Sequence, residues 1–233
     1  GSSISRKAGN VLYTHAGPEI SVASTKAFVT QLTAGYLLGL YFGTIRGSLS
    51  NDIARKHLED LIHLPTHITN ALGTQTEVQR IAKTHGQDRD FMFLGRGILY
   101  PIALEGALKL KEISYLHAEG YPAGEMKHGP IALIGEATPV VMVLGHDGVN
   151  FEKAISNLKE VESRGAQMVL VTDTAVPALS KLSKDIVVLG EVPPLLLPIV
   201  ATVPLQLLAY YVAVNRGTDV DQPRNLAKSV TVE

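Results

Sequence analysis

The rhythm of apolar positions changes as the chain proceeds. From Ala23 to Ile45 they are dense: Phe28, Leu32, Tyr36, Leu37, Leu40 and Phe42 recur at helical spacing, with Ser24 or Thr25 placed to cap the start. Lys26, Gln31 and several threonines interrupt the run, so it reads as a buried amphipathic helix better than a membrane span. A polar-faced helix is predicted over 51–72, capped by Ser50 or Asn51, with Pro65 breaking or kinking it. From about Thr74 the pattern alternates. Short apolar runs at 91–95, 115–121, 139–144, 167–172 and 185–189 predict strands, and helical spacing at 76–85, 102–114, 150–164 and, more weakly, 178–181 fills the gaps between most of them. Uninterrupted runs such as VVMVL and MVLVT are what a parallel sheet covered on both faces produces. The fold expected is α/β: a flavodoxin-like, doubly wound parallel sheet of about five strands, with its ligand site outside the carboxyl ends of the strands. A leucine-rich helix follows at about 196–215, irregular at its start because of Pro193, Pro194 and Pro198, and closed by Gly217. The first sixteen residues suggest a strand end and a loop, and the last sixteen are polar with no helical period.

Composition narrows the function classes. With 45% hydrophobic and 18% charged residues among 233, the chain has a folded core and room for one large domain, or one domain and part of another. A net charge of −1 gives no general attraction to nucleic acid or anionic membranes, so any anion site is local. The absence of cysteine excludes disulfides, thiolate metal sites and cysteine nucleophiles, and fits a cytoplasmic protein. The opening residues lack signal-peptide order.

The chemistry concentrates in one stretch, PIALEGALKLKEISYLHAEGYPAGEMKHGP at 101–130. Pro101 suits a first helical turn. At 100° per residue Glu105, Lys109 and Glu112 share one stripe, and Leu104, Leu108 and Tyr115 another. Taken alone, the charged stripe also matches an ordinary surface pair worth a few tenths of a kcal/mol. FLGRG at 93–97 ends a strand with two glycines, able to cradle a phosphate or simply to turn. His15, His57, His63, His67 and His85 follow no metal-ligand spacing, and His117 reads as a satisfied core histidine. No metalloprotease or serine-hydrolase motif occurs.

GRGILYPIALEGALKLKEISYLHAEGYPAGEMKHGP, GPEISVASTKAFVTQLT and the ending DQPRNLAKSVTVE together resemble the sugar-isomerase (SIS) half of the glucosamine-6-phosphate synthases, the isomerising glutamine–fructose-6-phosphate aminotransferases. The resemblance spans nearly the whole chain. It implies amination of fructose 6-phosphate to glucosamine 6-phosphate, with ammonia from a glutaminase domain that this chain lacks, and it implies no cofactor and no metal. It further implies a fragment: the end of a first SIS subdomain at 1–48, a helical connection at 49–73, a second SIS subdomain at 74–217 and a catalytic tail at 218–233. The serine- and threonine-rich phosphate loop of the first subdomain is absent. By the same resemblance Glu112 is the proton-shuttling base and Lys109 a cation near the reacting oxygens, with Glu105 positioning it. His128 is the ring-opening histidine, lent to a neighbouring subunit of a homodimer, and Lys228 forms an imine with the sugar ketone. Val22, Ser24 and Ala227 touch the sugar. Glu19 lies in the same loop as Val22 and Ser24, and Arg224 stands one turn before Lys228 if the tail is helical there. A related amino-sugar-phosphate deaminase or deglycase, or a non-catalytic sugar-phosphate-binding module, is the alternative.

Overall fold

Parallel strands buried on both faces need helices on both sides, and the chain supplies them. The computed structural model describes residues 2–228, so Gly1 and the last five residues of the expected catalytic tail lie outside the described residues. Five strands, β1 (Asp90–Gly95), β2 (His117–Pro122), β3 (Val140–Leu144), β4 (Met168–Thr172) and β5 (Asp185–Val188), form one all-parallel sheet in the order β2-β1-β3-β4-β5. This is the doubly wound order expected.

Alternation along each strand divides the core in two. Phe91, Phe93, Val141, Val143, Val169 and Val171 face one side. There they meet α5 (Gln75–His85), α6 (Tyr100–Ser114) and the long α9 (Leu197–Arg216). Met92, Leu94, Met142, Leu144 and Leu170 face the other side, under α7 (Val149–Glu162) and the six-residue α8 (Pro177–Leu182). Pro204 sits inside α9 without ending it. Ahead of the sheet come α1 (Ser3–Lys7), α2 (Lys26–Ile45), α3 (Asn51–Ile62) and α4 (Leu64–Leu72). The predicted break at Pro65 appears as the α3–α4 junction at His63, and the Ser50 hydroxyl accepts the Ile53 N–H at 3.3 Å to start α3.

Several expectations are corrected. The opening residues hold a short helix, started by the Ser2 hydroxyl accepting the Ser5 N–H, in place of a strand end. The second strand starts at His117, because Tyr115 takes a left-handed conformation (φ 62°) that closes α6. His117 is exposed beside Asp90 (2.9 Å) and Glu119 (3.5 Å), not in the core. α2 is not buried: Phe28, Val29, Leu32 and Tyr36 pack on the core, while Leu38, Tyr41, Phe42 and Ile45 are exposed. By length and composition α2 and α9 are each apolar enough to cross a membrane; most of α9 is buried in the core, and none of α2's most apolar window is.

A polar network unforeseen in the sequence ties α5 to β5. His85, 1% exposed, places Nε2 3.0 Å from Asp185 Oδ2, and Arg80 Nη2 lies 2.6 Å from Asp185 Oδ1. Burial alone would raise the Asp185 pKa, but hydrogen bonds from His85 and Arg80 outweigh it and hold the carboxyl below its usual value. A lowered acid stabilises the fold above its unfolded pKa, near 4, and that contribution is lost as pH falls further. Asp185→Ala is expected to destabilise the protein by about 2–3 kcal/mol at pH 7, since it leaves buried His85 with only Asp88, 3.4 Å from Nδ1, while Arg80 keeps water and Glu77. The deficit should shrink below about pH 4 in thermal melts, where the wild type loses the same charge.

Candidate active site

Helix α6 is held unusually close to its neighbours. A Cβ on Gly106 would lie 2.8 Å from Leu205 of α9 and 3.0 Å from the Phe93 ring of β1, and one on Gly120 would meet the Leu104 backbone at 3.0 Å. A side chain at Gly106 would have to push Leu205 and Phe93 aside, and one at Gly120 would press on backbone that cannot give way. The result is a helix pressed between sheet and α9, with part of its charged stripe sealed in.

That stripe is not a surface pair. Lys109 Nζ lies 2.6 Å from Glu112 Oε2 and 3.5 Å from Glu105 Oε1, and the three side chains are 5%, 22% and 10% exposed respectively. An ammonium buried to this extent would be strongly unfavourable alone; the flanking carboxylates compensate it. Burial pushes the Glu105 carboxyl above its usual value against the pull of Lys109, and the Glu112 charge adds to the rise. Glu112 is the most exposed of the three.

The two ends of the chain meet beside this stripe. Ser21 Oγ donates to the Val220 carbonyl and the Val22 N–H to the Asp221 carbonyl, both at 2.9 Å. Gln206 of α9 donates to the Thr25 carbonyl at 3.3 Å. The last carbonyls of α6, which have no partner within the helix, are taken by the end of α9 and the start of the tail: Arg216 Nε donates to Ser114 O at 3.1 Å and Thr218 Oγ1 to Ile113 O at 2.6 Å. Asp219 turns the tail by accepting the Gln222 and Asp221 N–H groups, which hold its carboxyl below the usual value. Between these parts lies a cleft of about 200 Å³. Lys109 and Ile113 line it from α6, Gln206 and Tyr210 from α9, Ser21 and Thr25 from the front loop, and Val220 and Asp221 from the tail.

Glu105, Lys109 and Glu112 are thus brought together. Val22 is held through its backbone at the loop–tail junction, and Ser24 is half-buried two residues on. Glu19 caps α2: its carboxylate accepts the Thr25 N–H at 2.8 Å and the Thr25 hydroxyl at 2.9 Å. Burial opposes ionisation there, yet these hydrogen bonds, with help from the Lys228 charge, hold its pKa down. Lys228 and Ala227 are exposed at the end of the described tail. The tail is not helical between Arg224 and Lys228, so Arg224 does not stand one turn before Lys228; its guanidinium lies over the Tyr115 ring. His128, 75% exposed after β2, meets only Glu125 (3.8 Å) among the described residues and joins no other site residue in this chain. At the carboxyl ends of β1 and β3, where FLGRG turns, the free space is two adjoining hollows of about 10 and 20 Å³, each on the scale of a single water.

The SIS domain family matches residues 87–216, more than half of the chain. The chain belongs to the SIS-domain family. Its whole length is 53% identical to the glutamine–fructose-6-phosphate aminotransferase (isomerising) of Thermus thermophilus, of which it spans 38%. The structure is similar to the C-terminal domain of glucosamine-fructose-6-phosphate aminotransferase from Francisella tularensis, with a TM-score of 0.89 and 42% identity over 95% of this chain and 63% of that one. It is also similar to a glucosamine-6-phosphate deaminase from Thermotoga maritima, at TM-score 0.64 and 26% identity over 92% of this chain and 59% of that one.

For an SIS-domain chain, the contribution of Gln206, Tyr210 and Tyr115 carried no sequence signal, because apolar spacing marks faces and not the crossing of α9 over α6. Lys109→Ala leaves Glu105 and Glu112 facing each other in a poorly solvated site. We expect a loss of about 2–4 kcal/mol at pH 8. Removing the ammonium raises the Glu105 pKa further, so the variant should recover stability as pH falls and Glu105 takes up a proton. Thermal melts at pH 8 and pH 5 check this through the narrowing gap to wild type.

Proposed function

We propose that this chain is the isomerase portion of a glucosamine-6-phosphate synthase, converting fructose 6-phosphate and ammonia to glucosamine 6-phosphate in the cytoplasm. The observation that carries the reading is the buried Glu105–Lys109–Glu112 stripe, whose Lys109 lines a cleft walled by the tail that leads to Lys228. The Thermus relative and the Francisella structure name the same activity for proteins of which this chain matches a part. The further chemistry, including ammonia delivery by a glutaminase domain, belongs to the longer protein.

On this reading the neutral Lys228 amine adds to the C2 ketone of the open sugar and expels water, giving an imine that ammonia then displaces. Glu112 as carboxylate takes a proton from C1 and returns one to C2, which turns the ketimine through an enolamine into the amino aldose. Lys109, fixed 2.6 Å from Glu112, stabilises the oxygen charge that develops beside C1. Glu105 holds Lys109. Val22, Ser24 and Ala227 contact the sugar. Glu19 acts through the Thr25 cap, shaping the loop that lines the cleft. His128 opens the ring in the neighbouring subunit of a homodimer, a role supported by its exposure and its distance from any other site residue's contacts. A deaminase reading is favoured only by the Thermotoga neighbour.

Borohydride reduction in the presence of fructose 6-phosphate, followed by peptide mapping, should place a sugar adduct on Lys228; no adduct on folded, full-length protein contradicts the imine step. Glu112→Gln should cut isomerisation by about 10²–10⁴-fold while leaving the adduct. An unchanged rate removes Glu112 from the mechanism. Co-assembly of His128→Ala and Glu112→Gln chains should restore activity in mixed dimers, because one site regains both groups. If both groups act within one chain, the mixture stays inactive.

A further inference from the structure

Tyr115 occupies a position that favours glycine. It follows α6 with φ 62°, and its N–H closes the helix on the Lys111 carbonyl at 3.2 Å. A glycine would form the same cap without steric opposition from a Cβ. The side chain therefore needs a separate reason to be there, and its contacts supply one. The phenol oxygen accepts the Arg224 backbone N–H at 2.8 Å, and the Arg224 guanidinium stacks over the ring with its centre 4.2 Å from the centroid. These contacts hold the tail four residues before Lys228. Upstream, the tail is pinned at Thr218, Val220 and Asp221 and buries Pro223; after Arg224, Asn225 turns the chain with φ 63°.

Tyr115 is also three residues beyond Glu112 on the rigid end of α6. Arg224 precedes Lys228 by four residues, so anchoring it confines the Lys228 backbone to within about 14 Å of that point. A single side chain thus links the helix carrying the carboxylate to the segment carrying the amine. We propose that Tyr115 is a positioning residue that sets where Lys228 stands relative to Glu112. Its hydroxyl clamps the backbone at Arg224 and its ring clamps the guanidinium. This rests on Lys228 as the imine-forming lysine.

The position makes the test unusually clean, since Tyr115→Gly relieves backbone opposition while deleting both clamps. In the full-length protein Tyr115→Gly is expected to melt near the wild-type temperature, the relieved backbone strain offsetting the lost contacts. Its Arg224 amide should exchange with solvent about tenfold faster, and kcat should fall about tenfold with KM for fructose 6-phosphate little changed, the scale of losing one hydrogen bond and one cation–π contact. Tyr115→Phe keeps the ring and should lose less of kcat, which separates the two clamps and serves as the second variant if the glycine chain folds poorly. A Tyr115→Gly protein with wild-type Arg224 exchange and wild-type kcat overturns the proposal, leaving Tyr115 as a helix cap. If wild-type protein forms no sugar adduct on Lys228, the imine reading fails and the catalytic half of the proposal with it. The exchange comparison then still accepts or rejects the anchor.

Discussion

A lysine ammonium taken out of water must find negative charge, and the candidate site is built on that requirement. Lys109 sits on a helix squeezed between sheet and α9, where an uncompensated charge would not be tolerated. Glu112 at 2.6 Å and Glu105 at 3.5 Å provide the compensation. The same arrangement leaves Glu105 buried with a raised pKa, Glu112 partly exposed, and Lys109 lining the cleft. Structural necessity and proposed chemistry therefore share the same three residues.

The cleft itself is made by chain ends folding back. The front loop and the tail are almost two hundred residues apart in sequence, yet they hydrogen-bond to one another at Ser21–Val220 and Val22–Asp221. The end of α9, at Arg216, and the start of the tail, at Thr218, in turn satisfy the open carbonyls at the end of α6. Helix termination and site closure are thus linked: Thr218, which helps to finish α6, leads straight into Val220 and Asp221, which wall the cleft with Lys109 and Ile113. The FLGRG turn at the carboxyl ends of the strands is the customary ligand position in a doubly wound sheet, but only small hollows of about 10 and 20 Å³ lie there, whereas the cleft on the α6–α9 side holds about 200 Å³.

Much of the fold could be read from periodicity. Runs such as VVMVL and MVLVT carry the two-faced burial of a parallel strand in their composition, and the Glu105–Lys109–Glu112 stripe follows from helical spacing. Burial of that stripe could not be read the same way, because it depends on Gly106 and Gly120 letting α6 approach its neighbours. The strand predicted from Tyr115 started two residues early, since nothing in the sequence marks a tyrosine as left-handed. His85 shows the same limit: it becomes a core group only because Asp185, one hundred residues away, faces it. Conversely His117, which looked internal, lies at the exposed start of the edge strand.

The central claim is that the sugar phosphate is processed in the cleft between α6, α9, the front loop and the tail. A crystal structure of the full-length protein with fructose 6-phosphate bound tests it most directly. The account predicts the sugar's C1 and C2 beside Glu112, with the Lys228 amine within bonding reach of C2. Sugar density at the turn after β1, or anywhere that leaves Lys109 and Glu112 facing only each other, would contradict it.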